Sequence, residues 1–498
     1  MLLLTTLSLI ILLVFIPLYF FIFRFFLVPL RHVRRKSVIC DEGLNTSAVR
    51  KIRDCLSTYC PEIPINSQDL VILDSPVSFR STLIQSIRQA EHQIVIAALY
   101  MGTSKIEQTI MKELELAAQA KPDLKITLMF DHRRSLRGFG SRSDRKCVVE
   151  LLSGLLEYNN VSLHLFHVPI VPFVPLISRE AEVLGVFHQK YYLFDSNVIV
   201  TGANLSEDYL SGPESGKQDR YFVFNKSNVL CDWYLSLTEK YLPFCFKVEN
   251  FGTGLPVIIP PFVNPITNPW KFRKNLKKTL FNLITSFSVD SSDQFDTAVY
   301  PTLQAGFSGV GHESFIVERT LKTISQSSEP SHLTVTTPYL NFPNSLIRRI
   351  SNVARNSCVS LTLIAASPKA NSFYGAKGIL GKAPLAYVEI MRGLLRRVVG
   401  KVEVYLYNRP NWRYHGKAIY YESSGNLLTI IGSSNYSKRS KRRDTECSLF
   451  LNTSNPVLIE QIKKEKADLM NHCEAFFDDF EKCPMWIRFL MVVFGSIL

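Results

Sequence analysis

Two stretches of this chain share one layout, and that repetition limits the folds open to it more than any other feature. HQIVIAALYMGTSKIEQTIMKELELA begins at His92, and HLTVTTPYLNFPNSLIRRISNVARNS begins at His332. Each opens with alternating apolar residues, the period of a half-buried strand. Each then passes through a loop into apolar positions spaced as on an amphipathic helix. Another apolar strand follows, LKITLMFDHRR in one case and VSLTLIAASPKA in the other. A His-x-Lys lies downstream of each start, at His188 and His415, after intervals of 96 and 83 residues. Strands alternating with helices, twice over, predict two α/β halves in tandem. A chain of 498 residues is also too long for a single compact core.

The rest of the chain is placed around these halves. The expected first half covers 65–250 and the second 296–484. Residues 1–30 read as a hydrophobic membrane anchor, with a targeting segment as the alternative, because Leu2 to Phe23 carries no charge over 22 residues. Residues 31–64 form a basic flank and linker, opening with Arg31, His32, Arg34, Arg35 and Lys36. That flank lies on the C-terminal side of the anchor, so the bulk of the chain is expected on the positive-inside face. Residues 251–295 are a connector in which Pro256, Pro260, Pro261, Pro265 and Pro269 argue against regular structure. It continues into WKFRKNLKK (Trp270 to Lys278), an aromatic among five cations, suited either to an anionic lipid surface or to a solvated helix face. The apolar tail 485–498 has 14 residues, too few to span, so it is interfacial or docked on the core.

The net charge of +14 suits an anionic partner: nucleic acid, an acidic lipid surface or a phosphorylated substrate. The ten cysteines include no CxxC pair, which leaves zinc-ribbon and thioredoxin readings without support and implies mostly unpaired thiols in a reducing compartment.

The chemistry centres on the two His-x-Lys segments. Residues i and i+2 of an extended segment share a face, so His188 sits with Lys190 and His415 with Lys417. A fixed cation lowers the histidine pKa and keeps the ring neutral and nucleophilic. An anionic phosphoryl group between them offsets the electrostatic cost. The first pair is followed by Asp195, Gly202, Asn204 and Asp219, and the second by Gly432, Ser433, Asn435 and Glu446. Asp219 and Glu446 each lie 31 residues after the histidine of their own segment. Glycine permits close backbone approach, an Asn amide can donate to a phosphoryl oxygen, and a carboxylate can hold the far ring nitrogen of a histidine. One copy of this pattern is weak evidence; two in register are strong.

The duplicated H-x-K-x4-D with a following G-x-N resembles the phospholipase D superfamily. Within it, three stretches are similar to the eukaryotic CDP-diacylglycerol–glycerol-3-phosphate 3-phosphatidyltransferase family: HQKYYLFDSNVIVTGANLSEDYL with KQDRY, AASPKANSFYGAKGILGKAPLAY, and YHGKAIYY with LTIIGSSNYSKRSKRRDTE. The resemblance covers roughly residues 65 to 480. It implies two phospholipase-D-like α/β sandwich halves forming one active site at their interface, and transfer of phosphatidyl from CDP-diacylglycerol to glycerol 3-phosphate through a phosphohistidine. His188 is assigned by resemblance as nucleophile and His415 as acid/base; the sequence alone allows the reverse. Lys190, Lys417, Asn204 and Asn435 are expected on the phosphoryl oxygens, with Asp195, Asp219 and Glu446 completing the catalytic set. The position of Asp195 is occupied by Glu422 in the second segment, with a longer run to Gly432. Substrate-binding cations are expected among Arg133, Arg134, Arg137, Lys369, Lys377 and Arg439. No metal and no cofactor are expected, since neither H-E-x-x-H nor a D-x-D-x-D run occurs and MGTSK (Met101 to Lys105) does not complete a phosphate loop. The expected partners are the two substrates and an anionic lipid surface, without nucleic acid. The resemblance places the protein at the mitochondrial inner membrane. Rival readings are a cardiolipin synthase or phospholipase D, which differ only in the acceptor, and a nuclease of the same superfamily.

Overall fold

The computed structural model describes residues 29–35, 47–138, 147–169, 184–250, 256–289 and 295–478, with 480, 481, 483–485 and 487. The expected N-terminal anchor, up to residue 28, and nearly all of the apolar tail lie outside the described residues. No helix among the described residues is long and apolar enough to cross a membrane.

The first half is built on β1 (Leu70–Leu73), β2 (Gln93–Ala98), β3 (Lys125–Asp131), β4 (Val161–Phe166), β5 (Tyr191–Phe194), β6 (Asn197–Thr201), β7 (Tyr221–Phe224) and β8 (Cys245–Asn250). The second half repeats this with β9 (Thr297–Ala305), β10 (Ser331–Thr336), β11 (Val359–Ala366), β12 (Glu403–Tyr407), β13 (Ala418–Ser423), β14 (Asn426–Gly432), β15 (Thr445–Thr453) and β16 (Cys473–Ala475). The spatial orders match element for element: β1-β7-β6-β5-β2-β3-β4-β8 in one sheet and β9-β15-β14-β13-β10-β11-β12-β16 in the other. The three strands β2, β3 and β4 run parallel, as do β10, β11 and β12, and the hairpins β5–β6 and β13–β14 are antiparallel to them.

Among the described residues the longer helices that pack on these sheets are α1 (Ala48–Tyr59), α2 (Pro76–Gln89), α3 (Lys105–Ala120), α4 (Asn228–Tyr241), α5 (Pro269–Ser286), α6 (His312–Ile324), α7 (Asn344–Ala354), α8 (Ala383–Leu395) and α9 (Pro456–Met470). Their apolar residues recur at helical spacing. In α7, Leu346, Ile347, Ile350 and Val353 are buried on one side. Helices α2 and α3 cover the outer face of the first sheet, and α1, α6, α7 and α8 that of the second. The inner faces share one core, in which Val95, Tyr191 and Val198 of the first sheet join Val299, Tyr420 and Leu449 of the second. Helices α4, α5 and α9 contribute to that shared core. The strands are buried on both faces, which explains why they read as nearly continuous apolar runs.

The proline-rich connector carries more regular structure than its composition suggests. Pro256–Ile259 pairs as an edge strand with β8, and Pro269 is the first residue of α5. Proline is tolerated at these places because an edge strand does not need every N–H and the first turn of a helix has no acceptor for it. The five cations of WKFRKNLKK do not all face solvent: Arg273 is buried with Phe272 and Leu276, while Trp270, Lys271, Lys274 and Lys278 are exposed.

Candidate active site

Both His-x-Lys segments lie in extended chain just before the hairpins, at β5 and β13. Each is zipped onto the opposite half. His188 N–H donates to the Thr445 carbonyl at 3.0 Å, and His415 N–H to the Gln218 carbonyl at 2.8 Å. The accepting residue in each case directly precedes an acid. The pairing is extended by a short parallel ladder between Gly216–Gln218 and Trp412–Tyr414, and by a parallel bridge between Phe187 and Thr445.

The acids therefore cross. His188 Nδ1 lies 2.8 Å from Glu446 Oε2, and His415 Nδ1 lies 2.5 Å from Asp219 Oδ2. Each dyad takes its histidine from one half and its carboxylate from the other, so Nε2 is the ring nitrogen not held by an acid; on His415, Lys417 Nζ also lies 2.6 Å from Nδ1 and 3.3 Å from Nε2. Ser433 Oγ–H donates to the same Glu446 oxygen at 2.6 Å. Lys190 Nζ bonds the His188 carbonyl at 2.6 Å; Lys417 Nζ bonds the His415 carbonyl and lies 3.6 Å from Asp219 Oδ2. Glycine is required beside the acids. A Cβ on Gly202 would stand 2.6 Å from Asp219 Oδ1, and one on Gly432, whose φ is +152°, would stand 2.5 Å from the Cys447 carbonyl oxygen. The side-chain oxygens of Asn204 and Asn435 are buried without a partner, so both amides are held in the site by packing and not by a competing bond.

Burial governs the electrostatics. It lowers both histidines far below the usual range, and the adjacent Lys190 and Lys417 push the same way, so both rings are neutral in the unliganded site. Burial also brings Lys417 down to about 8 and Lys190 well below its ordinary value. The two acids diverge. Burial would raise Asp219, but Lys417 and His415 outweigh it and hold the acid below its ordinary value. Burial of Glu446 prevails over Lys190, and its carboxyl is raised.

Other residues singled out in the sequence are placed as follows. Asp195 sits at the β5–β6 turn with φ +51°, and its carboxylate accepts from the backbone N–H groups of Glu91, His92 and Gln93 at 2.8–2.9 Å. It ties the hairpin to the start of β2, on the order of 16 Å along the strand from Lys190. Its counterpart in the second half is not Glu422. The β13–β14 hairpin is two residues longer, the turn position with φ +48° is Ser424, and Glu422 is paired instead with Lys466. The acid of that turn has moved to the facing loop, where Glu329 accepts from Ser424 Oγ at 2.8 Å and Ser423 Oγ at 3.2 Å.

Among the candidate cations, Arg133 is buried and donates to His167 at 3.3 Å, Arg134 lies over the Tyr100 ring at 4.6 Å, and Arg137 is half-buried just after the short helix His132–Leu136 that follows β3. Lys369 and Lys377 are exposed, but their loop is anchored beside the site: Tyr414 N–H donates to the Ala370 carbonyl at 2.9 Å. Arg439 is bonded to Asp444. Sequence reasoning passed over Asp131, whose carboxylate accepts from Phe187 N–H at 2.8 Å and fixes the residue before His188. It also passed over Tyr209, whose ring stands edge-on to His415 at 5.0 Å, and Lys217. The alternation Lys217-x-Asp219, mirroring His-x-Lys, was the available signal.

The duplicated α/β fold is phospholipase-D-like. The family model described as "Cardiolipin synthase, PLD-like domain" matches residues 320–470. Over most of its length the chain resembles the CDP-diacylglycerol–glycerol-3-phosphate 3-phosphatidyltransferases. A probable enzyme of that name from Dictyostelium discoideum is 28% identical over 93% of this chain and 82% of its own length. The mitochondrial enzyme of Homo sapiens is 27% identical over 86% of this chain and 81% of its own, and that of Saccharomyces pastorianus is 28% identical over 90% and 92%. Phosphatidylserine synthase of Haemophilus influenzae shares the fold with a TM-score of 0.71 at 21% identity, over 90% of this chain and 97% of that one.

Proposed function

We propose that the chain is a phosphatidyltransferase that moves phosphatidyl from CDP-diacylglycerol to glycerol 3-phosphate, releasing CMP and forming phosphatidylglycerophosphate. The substrates follow from its resemblance to enzymes of that name over most of the chain. The reaction class is carried by one observation, the two crossed histidine–carboxylate dyads within a single buried site.

His188 Nε2 attacks the lipid-side phosphorus. Binding of the anionic diphosphate beside His415 favours its imidazolium form, taken up as a proton from solvent; the bond from the lipid-side phosphorus to the bridging oxygen of CMP then breaks, and His415 gives that oxygen its Nε2 proton. Glycerol 3-phosphate then enters. Its attacking hydroxyl loses a proton to His415 as its oxygen bonds phosphorus, and the P–N bond to His188 breaks. Both histidines end as they began. Lys190, Lys417, Asn204 and Asn435 hold the equatorial oxygens, where charge accumulates. Asp219 supports this division of labour: an acid held ionised beside His415 stabilises the imidazolium that an acid/base residue must become. Incorporation of labelled glycerol 3-phosphate into lipid, lost in both His188→Ala and His415→Ala, is the expected result. Lipid release or nucleic-acid cleavage without that incorporation overturns the assignment. A cardiolipin synthase, the reading suggested by the family-model description, would use phosphatidylglycerol as acceptor and ignore glycerol phosphate.

A bilayer lipid as donor has the protein work at a membrane, the mitochondrial names of its relatives support that organelle, and the family resemblance implies the inner membrane. The connector supplies a surface for this. Among the described residues, four of the eleven exposed large apolar side chains fall between 257 and 270: Val257, Ile259, Phe262 and Trp270. Phe262 is 97% exposed and Trp270 63%, with Lys271, Lys274 and Lys278 exposed beside them. Aromatic and aliphatic tips flanked by lysines suit the headgroup region of an anionic bilayer.

A further inference from the structure

The two halves of the site repeat each other closely, and at one pair of positions the repeat is inverted in charge. Four residues after the motif asparagine stand Asp208 in the first half and Arg439 in the second. Two residues before the motif acid stand Lys217 and Asp444. Both halves form an ion pair between these positions, Lys217 Nζ to Asp208 Oδ2 at 2.9 Å and Arg439 Nε to Asp444 Oδ2 at 3.0 Å. The signs are opposite.

The inner members of the pairs differ accordingly. In the second half the covered member is the acid: Asp444 is 3% exposed, and its other oxygen accepts from Val186 N–H at 3.0 Å. In the first half the covered member is the cation: the Lys217 side chain is 15% exposed, against 62% for Asp208. Lys217 lies on the short strand Gly216–Gln218 and Asp219 follows it directly, so the two stand at i and i+2 where the chain is extended and share a face. Asp219 reaches His415 on that face. The Tyr209 ring lies between them, with Lys217 Nζ 4.7 Å from its centroid and the His415 ring 5.0 Å away. Asp208 is the one hydrogen-bonding partner of the Lys217 ammonium among the described residues, so two of its three donors remain for a ligand. Burial opposes the charge of Lys217, but Tyr100 and Asp208 outweigh it and keep the group protonated.

The reaction explains why a fixed cation belongs on this side alone. With His188 as nucleophile, the leaving and entering groups occupy the His415 side in turn, because His415 protonates one and deprotonates the other. Both are phosphomonoesters: the leaving group is a nucleoside monophosphate and the acceptor a glycerol phosphate. The diacylglycerol stays on phosphorus throughout and brings no second anion. We infer that Lys217 anchors the non-reacting phosphate of both the departing nucleotide and the incoming glycerol phosphate, forming a phosphomonoester subsite beside His415; this rests on the proposed phosphatidyl transfer.

The test uses the full chain with CDP-diacylglycerol in mixed micelles, sn-glycerol 3-phosphate or uncharged glycerol as acceptor, and CMP as product inhibitor. In Lys217→Met, KM for glycerol 3-phosphate is expected to rise at least about tenfold, with a much smaller change in kcat. Inhibition by CMP should weaken in parallel. The preference for glycerol phosphate over glycerol, as a ratio of kcat/KM, should fall by a similar factor, and Lys217→Arg should restore most of it. If KM and CMP inhibition stay within twofold of wild type while kcat collapses, Lys217 only positions Asp219 and the inference is overturned, although the transferase reading stands. Wild-type protein that incorporates no glycerol phosphate overturns that reading and the inference with it.

Discussion

Nδ1 of His188 faces Oε2 of Glu446 at 2.8 Å across the junction of the two halves, although 258 residues separate them in sequence. The reciprocal pair, His415 and Asp219, is separated by 196 residues. Neither half holds a complete dyad. The crossing follows from backbone register: each His-x-Lys segment donates to the carbonyl just before the other half's acid, and the acid side chain then has only one ring in reach.

The crossing predicts which acid governs which histidine. Asp219→Asn should move the titration of His415, followed by NMR of labelled imidazoles, and leave that of His188 nearly in place. Glu446→Gln should do the converse. Each should lower kcat by roughly a hundred- to ten-thousand-fold, the range for loss of a histidine's orienting carboxylate or of acid/base catalysis. An Asp219→Asn protein in which only the His188 titration moves would refute the crossed arrangement.

The pH profile should be set by the site's buried charges. Burial, followed by Lys190, keeps His188 neutral well below pH 6.5, so protonation of the nucleophile should give kcat/KM no acid limb at the ordinary histidine value. Lys417 has been lowered to about 8, so it is charged below that pH and neutral above it. Its loss of charge removes a phosphoryl-binding cation. The expected outcome is a fall in kcat/KM as pH rises through about 8. Lys417→Arg, which stays charged, should push the fall to higher pH while lowering the plateau. An alkaline limb that Lys417→Arg leaves in place assigns it to another group.

Asp195 offers a sharp separation of structure from chemistry. Its carboxylate serves three backbone N–H groups at the start of β2 and reaches neither histidine. Asp195→Ala leaves these donors unpaired and should cost about 2–4 kcal/mol of stability, read as a lower denaturant midpoint. Well below the unfolding transition, kcat per folded molecule should stay within about threefold of wild type. A hundredfold loss in fully folded protein would return Asp195 to the chemistry.

Much of this was legible before any coordinates, for identifiable reasons. The α/β character showed in the His92 and His332 stretches because strand and helix periods differ and the pattern occurs twice. The site residues were legible because His-x-Lys and G-x-N are local patterns. What depended on register was not. The equal 31-residue spacings cannot say which histidine Asp219 and Glu446 serve, since that is decided by hydrogen bonds between the halves. Glu422 matched Asp195 by counting, but the longer hairpin moved the turn to Ser424. The connector prolines suggested irregular chain, yet Pro256 and Pro269 occupy positions where a missing N–H costs little. The alternation of Lys217 with Asp219 was visible in the sequence, but its meaning depends on the sign reversal at Asp444.

The connector makes a prediction about the membrane that can be read from one side chain. Of the described tryptophans, Trp233 and Trp412 are buried, while Trp270 is 63% exposed next to Phe262 and the lysines of α5. If this ridge meets the bilayer, vesicles containing anionic phospholipid should shift Trp emission to the blue, and lipids brominated along the acyl chain should quench it. Both changes should vanish in Trp270→Phe when each protein also carries Trp486→Phe, which removes the tryptophan of the apolar tail from the signal. Replacing Lys271, Lys274 and Lys278 with Gln should weaken the response, by about 1 kcal/mol for each charge that lies near the surface. Salt at 0.5 M should do the same by screening, while vesicles of purely zwitterionic lipid should give a much smaller shift. Emission that stays unchanged with anionic vesicles would mean that the ridge does not face the lipid, and the exposure of Phe262 and Trp270 would then need another partner.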